Sequence, residues 1–153
     1  MQEGIKVIAL NRKASFDYFL EDTYEAGLVL EGSEIKSIRN GNVNLKDSYV
    51  NIKNGEAFVI NMHIANYEKA GAFLPSTTRS RKLLLNKIEI NRLDSKVKEK
   101  GYTLVPTRLY LKKGRAKLEF ALAKGKKNYD KRESERDRDI NRNINKALKE
   151  MNK

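Results

Sequence analysis

The chain has 153 residues, enough for one domain with a real core and too few for two ordinary ones. Lys and Arg number 32 against 20 acidic residues, and the resulting formal charge of +12 repels itself, so a polyanionic partner is expected. Cysteine is absent and His63 is the single histidine, which excludes disulfides, thiolate metal sites and two-histidine metal sites. No apolar run reaches the ~20 residues that span a bilayer and no signal-peptide core opens the chain, so a cytoplasmic protein is expected.

The pattern of a folded domain begins near residue 15. Phe16 to Leu20 and Tyr24 to Leu30 are rich in aromatic and aliphatic residues and predict two strands. Ser33 is positioned to cap a short helix carrying Ile35 and Ile38, which Asn40-Gly41 ends. Tyr49–Lys53 and Glu56–Ile64 predict a hairpin across Asn54-Gly55, the dipeptide suited to the positive φ angles of a type I′ turn. In it Val50 and Ile52 face one way, and Phe58, Ile60, Met62 and Ile64 alternate on the returning strand. His63, on that strand, is expected to be half-buried and structural. Residues 66–79, with Gly71 and Pro75, read as an exposed loop.

Ser80 opens a predicted helical stretch to Lys100, with Leu84, Leu85, Ile88, Leu93 and Val97 near helical spacing. Asn86 or Asn91 can divide it, and Gly101 stops it. A second hairpin follows: Thr103–Leu111, a Lys112-Lys113-Gly114 turn, then Ala116–Ala123 with Leu118, Phe120 and Leu122 alternating against Lys117 and Glu119. About six strands with two or three helices predict a mainly β fold, a small closed six-stranded barrel of oligonucleotide-binding (OB) type with packed helices.

Composition changes after Ala123, so the chain divides into a barrel domain, 1–123, and a junction and tail, 124–153. Residues 124–132 carry five basic groups and one acid, a net +4, and form the densest positive segment. Residues 133–153 carry six basic and five acidic groups, and Ile140, Ile144, Ala147, Leu148 and Met151 fall on one stripe of a helix. The asparagines at 141, 143 and 145 weaken that helix, so the tail is expected to be disordered when free and to fold against a partner.

Enzymatic constellations are nearly empty. The nine glycines are scattered, so no phosphate-cradling loop exists. Glu21, Asp22 and Glu25 are close in sequence, but on a strand Glu21 and Glu25 share a face and Asp22 lies opposite, as surface residues do; a nuclease reading is disfavoured. Nucleic-acid features are richer. Asn11, Arg12 and Lys13 precede the first predicted strand, where side chains can reach phosphates and base edges. Tyr18, Tyr24, Tyr49, Tyr67 and Tyr110 lie on or beside strands and are stacking candidates, although filling the core is the commoner duty of any one of them. Lys36 and Arg39 share a helical face, as do Arg79 and Lys82 in the predicted helix. The tail stripe is too thin and too acidic for a membrane surface.

The order of these blocks resembles the SsrA-binding protein (SmpB) family, the bacterial partner of transfer-messenger RNA. The likeness runs through "NRKASFDYFLEDTYEAGLVLEGSEIKSIRNGNVNLKDSYV", "RSRKLLLNKIEI" and "GYTLVPTRLYLKKGRAKLEFALAKGKKNYDKRE" to the charged tail. It implies an OB-like barrel that is not an enzyme and takes no cofactor or metal. Such a protein binds the tRNA-like domain of transfer-messenger RNA, promotes its alanylation, and travels with elongation factor Tu to a stalled 70S ribosome. There it fills the decoding centre and probes the empty mRNA channel with its tail. By position, the RNA-binding residues implied are Asn11, Arg12, Lys13, Tyr18, Glu25, Lys36, Arg39, Lys82 and Leu84. The ribosome-binding ones are Gly125, Lys126, Lys127, Tyr129, Asp130, Lys131, Arg132, Ile140 and Leu148. Relatives often carry His where this chain has Tyr129, which keeps a stacking ring and loses a protonatable one. The protein is expected to be monomeric. A structural ribosomal protein is the alternative on charge, barrel and tail alone.

Overall fold

A computed structural model describes residues 4–66 and 76–126. Nine strands and three helices follow in the order β1 (Ile5–Leu10), α1 (Ala14–Asp17), β2 (Tyr18–Leu28), α2 (Gly32–Arg39), β3 (Val43–Asn44), β4 (Tyr49–Lys53), β5 (Glu56–Ile60), β6 (His63–Ile64), β7 (Arg81–Leu84), α3 (Lys87–Lys100), β8 (Thr103–Lys112) and β9 (Arg115–Gly125). Strands β8, β4, β5, β7, β2 and β9 pair in turn, and β8 also pairs with β9, so six strands form a hydrogen-bonded ring as expected. Strand β8 can do this because an irregularity between Pro106 and Arg108 divides it. Before the break its free edge meets β4 at Val50↔Leu104; after it the same edge takes β1, from Leu10↔Arg108 to Ile5↔Lys112.

Each hairpin is closed by its turn. Asn54 (φ 53°) and Gly55 (φ 74°) both hold positive φ, as a type I′ turn requires. Lys113 (φ 52°) and Gly114 (φ 79°) do the same between β8 and β9, which makes that turn one residue tighter than predicted. The core fills the ring: Val59, Leu109, Leu118 and Phe120 have no exposed surface, and Ile38 of α2 and Leu93 of α3 close over them. Burial of a side chain of this kind contributes about 1.5–3 kcal/mol.

Several elements differ from the sequence reading. Strand β1 was not anticipated. Phe16 belongs to α1, and the two predicted strands are one, β2, interrupted by a bulge: Leu20 faces Ala123 but Thr23 faces Ala121. The extra residue bends the strand without ending its pairing. Helix α2 starts at Gly32 rather than beyond Ser33, and the side chain of Glu34 accepts a hydrogen bond from the Glu31 N–H at 2.9 Å. On β5 the fully buried residues are Ala57 and Val59, opposite Ile52 and Val50, and not Phe58 and Ile60. Asn61 (φ 61°) then reverses the phase, which is why Met62 and Ile64 are buried after all and His63 is exposed.

The predicted helix from Ser80 is a strand and a helix. Residues 81–84 alternate buried and exposed on β7, and Asn86 caps α3 by accepting from the Glu89 N–H at 2.8 Å. Arg79 and Lys82 therefore share no helix. The buried face of β7 includes Arg81, and Glu34 carries its counter-charge: Arg81 Nε donates to Glu34 Oε2 at 2.5 Å. Its other N–H groups donate to the carbonyls of Met62 (2.5 Å), Thr77 (3.0 Å) and Arg79 (3.2 Å). This network docks α2 on β7 and the segment before it. The loop at 66–79 and the tail expectations fall partly or wholly outside the described residues.

Candidate nucleic-acid interface

Strand register assembles the site. The outer face of β7, β2, β9 and β8 is built from residues at alternate positions, and antiparallel partners share a face. One row runs Leu84, Gly27, Lys117, Tyr110 and Val7 across five strands. The next runs Glu25, Glu119, Arg108 and Leu10. Leu84 (57 % exposed), Val7 and Leu10 are thus large apolar groups in water at the two sides of a polar centre.

That centre is ordered by charge. Tyr110 donates its hydroxyl to Glu25 Oε2, and Lys112 Nζ lies 3.6 Å from Glu25 Oε1. The Arg108 guanidinium sits 4.8 Å over the Tyr110 ring and pairs with Glu119 at 3.2 Å, which also accepts from Thr107 at 2.6 Å. Burial, then the Glu25 carboxylate, push the Tyr110 hydroxyl far above the usual phenol range, so it remains a donor. Glu25 is thereby held facing a cleft of about 300 Å³ with Arg108, Tyr110 and Lys112. A carboxylate aimed outward among cations can accept from a base amino group while its neighbours can meet phosphates. Gly27 matters by what it lacks: a Cβ there would meet Leu84 Cδ1 at 3.3 Å and Lys117 Nζ at 3.5 Å.

Lys82, exposed beside Leu84 on β7, pairs with Glu56 at 3.4 Å. Register therefore brings Glu25, Lys82 and Leu84 to one face, and adds Arg108, Lys112 and Lys117, which sequence reasoning missed. The alternation of Lys117 and Glu119 against Leu118 and Phe120 was visible, but their lying beside Glu25 depends on pairing across 90 (Gly27↔Lys117) and 94 (Glu25↔Glu119) positions.

The second patch lies in the turn between β1 and α1, not ahead of the first strand. Arg12 and Lys13 are exposed. Asn11 has a structural duty: its Nδ2 donates to Pro106 O at 2.8 Å and its backbone N–H to Thr107 O at 2.8 Å, which satisfies carbonyls at the β8 irregularity. Asn11, Lys13, Tyr18 and Tyr49 line a cleft of about 360 Å³ together with Asp17 and Asp47. Tyr24 is a core residue, stacked on Phe120 with centroids 5.7 Å apart. Lys36 and Arg39 are exposed on α2, which packs on β6.

The root of the tail is the third patch. Strand β9 continues through Lys124 to Gly125, which pairs with Tyr18, and the Lys126 N–H donates to Asp17 O at 2.9 Å. Lys127, Tyr129, Asp130, Lys131, Arg132, Ile140, Leu148 and Tyr67 lie outside the described residues. Glu21 and Glu25 form no catalytic pair: Glu21 accepts from the Tyr102 hydroxyl at 3.1 Å, whereas Glu25 holds Tyr110. No group of three or more His, Asp or Glu among the described residues can hold a metal ion, and none of the helices there is long and apolar enough to cross a membrane.

A ring of strands with a cation-rich, aromatic-bearing outer face and two open clefts defines a binding module of the RNA-binding class. The family described as "SmpB protein" matches residues 8–150, and the chain belongs to that family. It is 56 % identical over 149 residues to the SsrA-binding protein of Caldicellulosiruptor saccharolyticus, covering 97 % of this chain and 94 % of that one. To the SsrA-binding protein of Geobacillus kaustophilus it is 57 % identical over 148 residues, covering 97 % and 96 %. A solved structure described as "tmRNA-SmpB: a journey to the center of the bacterial ribosome" superposes with a TM-score of 0.67 at 42 % identity, over 84 % of this chain and 94 % of that one.

Proposed function

We propose that the chain is a monomeric cytoplasmic adaptor of ribosome rescue, which binds RNA and catalyses nothing. In this reading the barrel grips the tRNA-like domain of transfer-messenger RNA through Glu25, Leu84 and Lys82 on the outer face and through Asn11 to Lys13. It promotes alanylation of that RNA and its delivery with elongation factor Tu. The junction from Gly125 to Arg132 meets the decoding centre of the stalled ribosome, and the tail enters the vacant message channel. One observation carries the reading: in a chain of the SmpB family, register gathers an outward carboxylate, an exposed leucine and four cations (Lys82, Arg108, Lys112, Lys117) on one continuous face. Cations supply salt-dependent affinity there, and Glu25 supplies discrimination.

The experiment compares affinity for transfer-messenger RNA with that for an unrelated structured RNA of equal length at fixed salt. Glu25→Ala is expected to weaken the first by roughly 5- to 150-fold, the range for one lost base contact, and to leave the second nearly unchanged. A chain ending at Lys126 is expected to keep the affinity and lose peptide tagging on stalled ribosomes. Equal affinity for both RNAs in the intact chain would overturn the reading in favour of a structural ribosomal protein.

A further inference from the structure

We propose that Phe19 is a positioning residue for the tail, gripping its root through the first lysines of the basic junction. Phe19 is half-exposed and belongs to neither core cluster. Its partner across the strands is Lys124, and Lys126 Nζ lies 5.1 Å from its ring centroid. Lys124 in turn sits 5.3 Å over the ring of Tyr102, whose hydroxyl donates to Glu21. The two lysines that open the +4 junction are thus each seated on an aromatic face, at the end of a β ladder that closes with Tyr18↔Gly125 and with the Lys126 N–H on Asp17 O.

The physical need is clear from the charge. Five cations within nine residues repel one another, so the course of the segment is not set by its own charge. An ammonium over a ring face is attracted by the ring quadrupole even in water, and two such contacts along one edge fix both the point and the direction of departure at Lys126. Only the π face does this; an aliphatic side chain of similar bulk does not. Helix α1 ties this root to the second patch, since it directly follows Asn11, Arg12 and Lys13 and its Asp17 supplies the carbonyl that holds Lys126.

The inference rests on reading the tail as the part that probes the ribosome, so its test has two arms. By NMR of the full chain, the Lys126 ε-methylene protons are expected upfield in the native protein. In Phe19→Leu they return to random-coil values, and Lys126 amide exchange quickens about two- to fivefold, the range for one exposed cation–π contact. Ala121 and Leu122 amides stay unchanged. Phe19→Trp restores both signals, and Lys126→Gln reproduces the quickened exchange from the other partner. In the second arm, tagging of stalled ribosomes falls by a similar factor in Phe19→Leu at unchanged affinity for transfer-messenger RNA, and Phe19→Trp rescues it. Native-like Lys126 shifts in Phe19→Leu overturn the proposal. So does full tagging by Phe19→Leu when the chain ending at Lys126 is inactive. Full tagging by that truncated chain would instead sink the functional reading and leave the NMR arm standing.

Discussion

Replacing Glu34 by Leu isolates the buried charge network. Glu34 is 3 % exposed and Arg81 fully buried. The carboxylate receives the Glu31 N–H, two N–H groups of Arg79 and Nε of Arg81. Without it, the Arg81 guanidinium keeps three carbonyl partners and loses its counter-charge, a change that costs about 3–5 kcal/mol. The Arg79 arm, 28 % exposed on its side chain, adds little because water screens it. Against a total of about 5–15 kcal/mol this is a large fraction. It corresponds to a drop in Tm of roughly 6–20 °C for a chain of this size. Thermal unfolding followed by circular dichroism measures it. The double variant Glu34→Leu with Arg81→Leu should recover most of the loss, since neither charge is then buried alone. A single-variant cost below about 1 kcal/mol, or a double variant as unstable as the two singles added, refutes the reasoning. The pH dependence has a defined sign. Burial alone would raise the Glu34 carboxyl, but Arg79, the Glu31 N–H and Arg81 together hold it below the ordinary glutamate value. Its contribution is therefore present above the unfolded value of about 4.3 and is lost as pH falls through the depressed one. Glu34→Gln should flatten that acid limb.

Leu84→Ala removes an exposed side chain, so unfolding should move by less than about 0.5 kcal/mol, while affinity for transfer-messenger RNA drops; a change in the urea midpoint equal to that in binding would make Leu84 structural. Tyr110→Phe should cost about 0.5–1.5 kcal/mol at neutral pH through the lost bond to Glu25. Because the folded hydroxyl is held protonated, the native chain loses this contribution as pH rises above about 10. Urea midpoints at pH 9 and pH 11 should therefore converge for the two chains, and a constant gap would contradict the assignment.

What the sequence determined by itself is local. Asn54-Gly55 dictates a hairpin because both residues tolerate positive φ, and the alternation from Ala116 to Phe120 marks a strand with one buried face, although Ala121 and Ala123 are buried as well, on the other face. The rise in positive charge after Ala123 is likewise read from composition alone, whereas β9 runs on to Gly125. Gly101 stops α3 in the left-handed conformation, a signal carried by one residue, whereas Asn86 is only one of two candidate dividers until the structure makes it the cap. The blocks from Asn11 to Val50 and from Gly101 onward also carried the family. What tertiary structure decided depends on pairing at a distance. The run Leu83-Leu84-Leu85 fits a helix as well as a strand, and only β2 and β5 on either side make it β7. Arg81 reads as a surface charge until Glu34, 47 positions earlier, neutralises it in the core. The bulge at residues 21–22 and the reversal at Asn61 change which side chains face out, and period-two patterning does not register such a slip. The outer face with Glu25, Lys117 and Arg108 exists only once β8 and β9 find β2, because antiparallel register, not sequence proximity, makes neighbours of them.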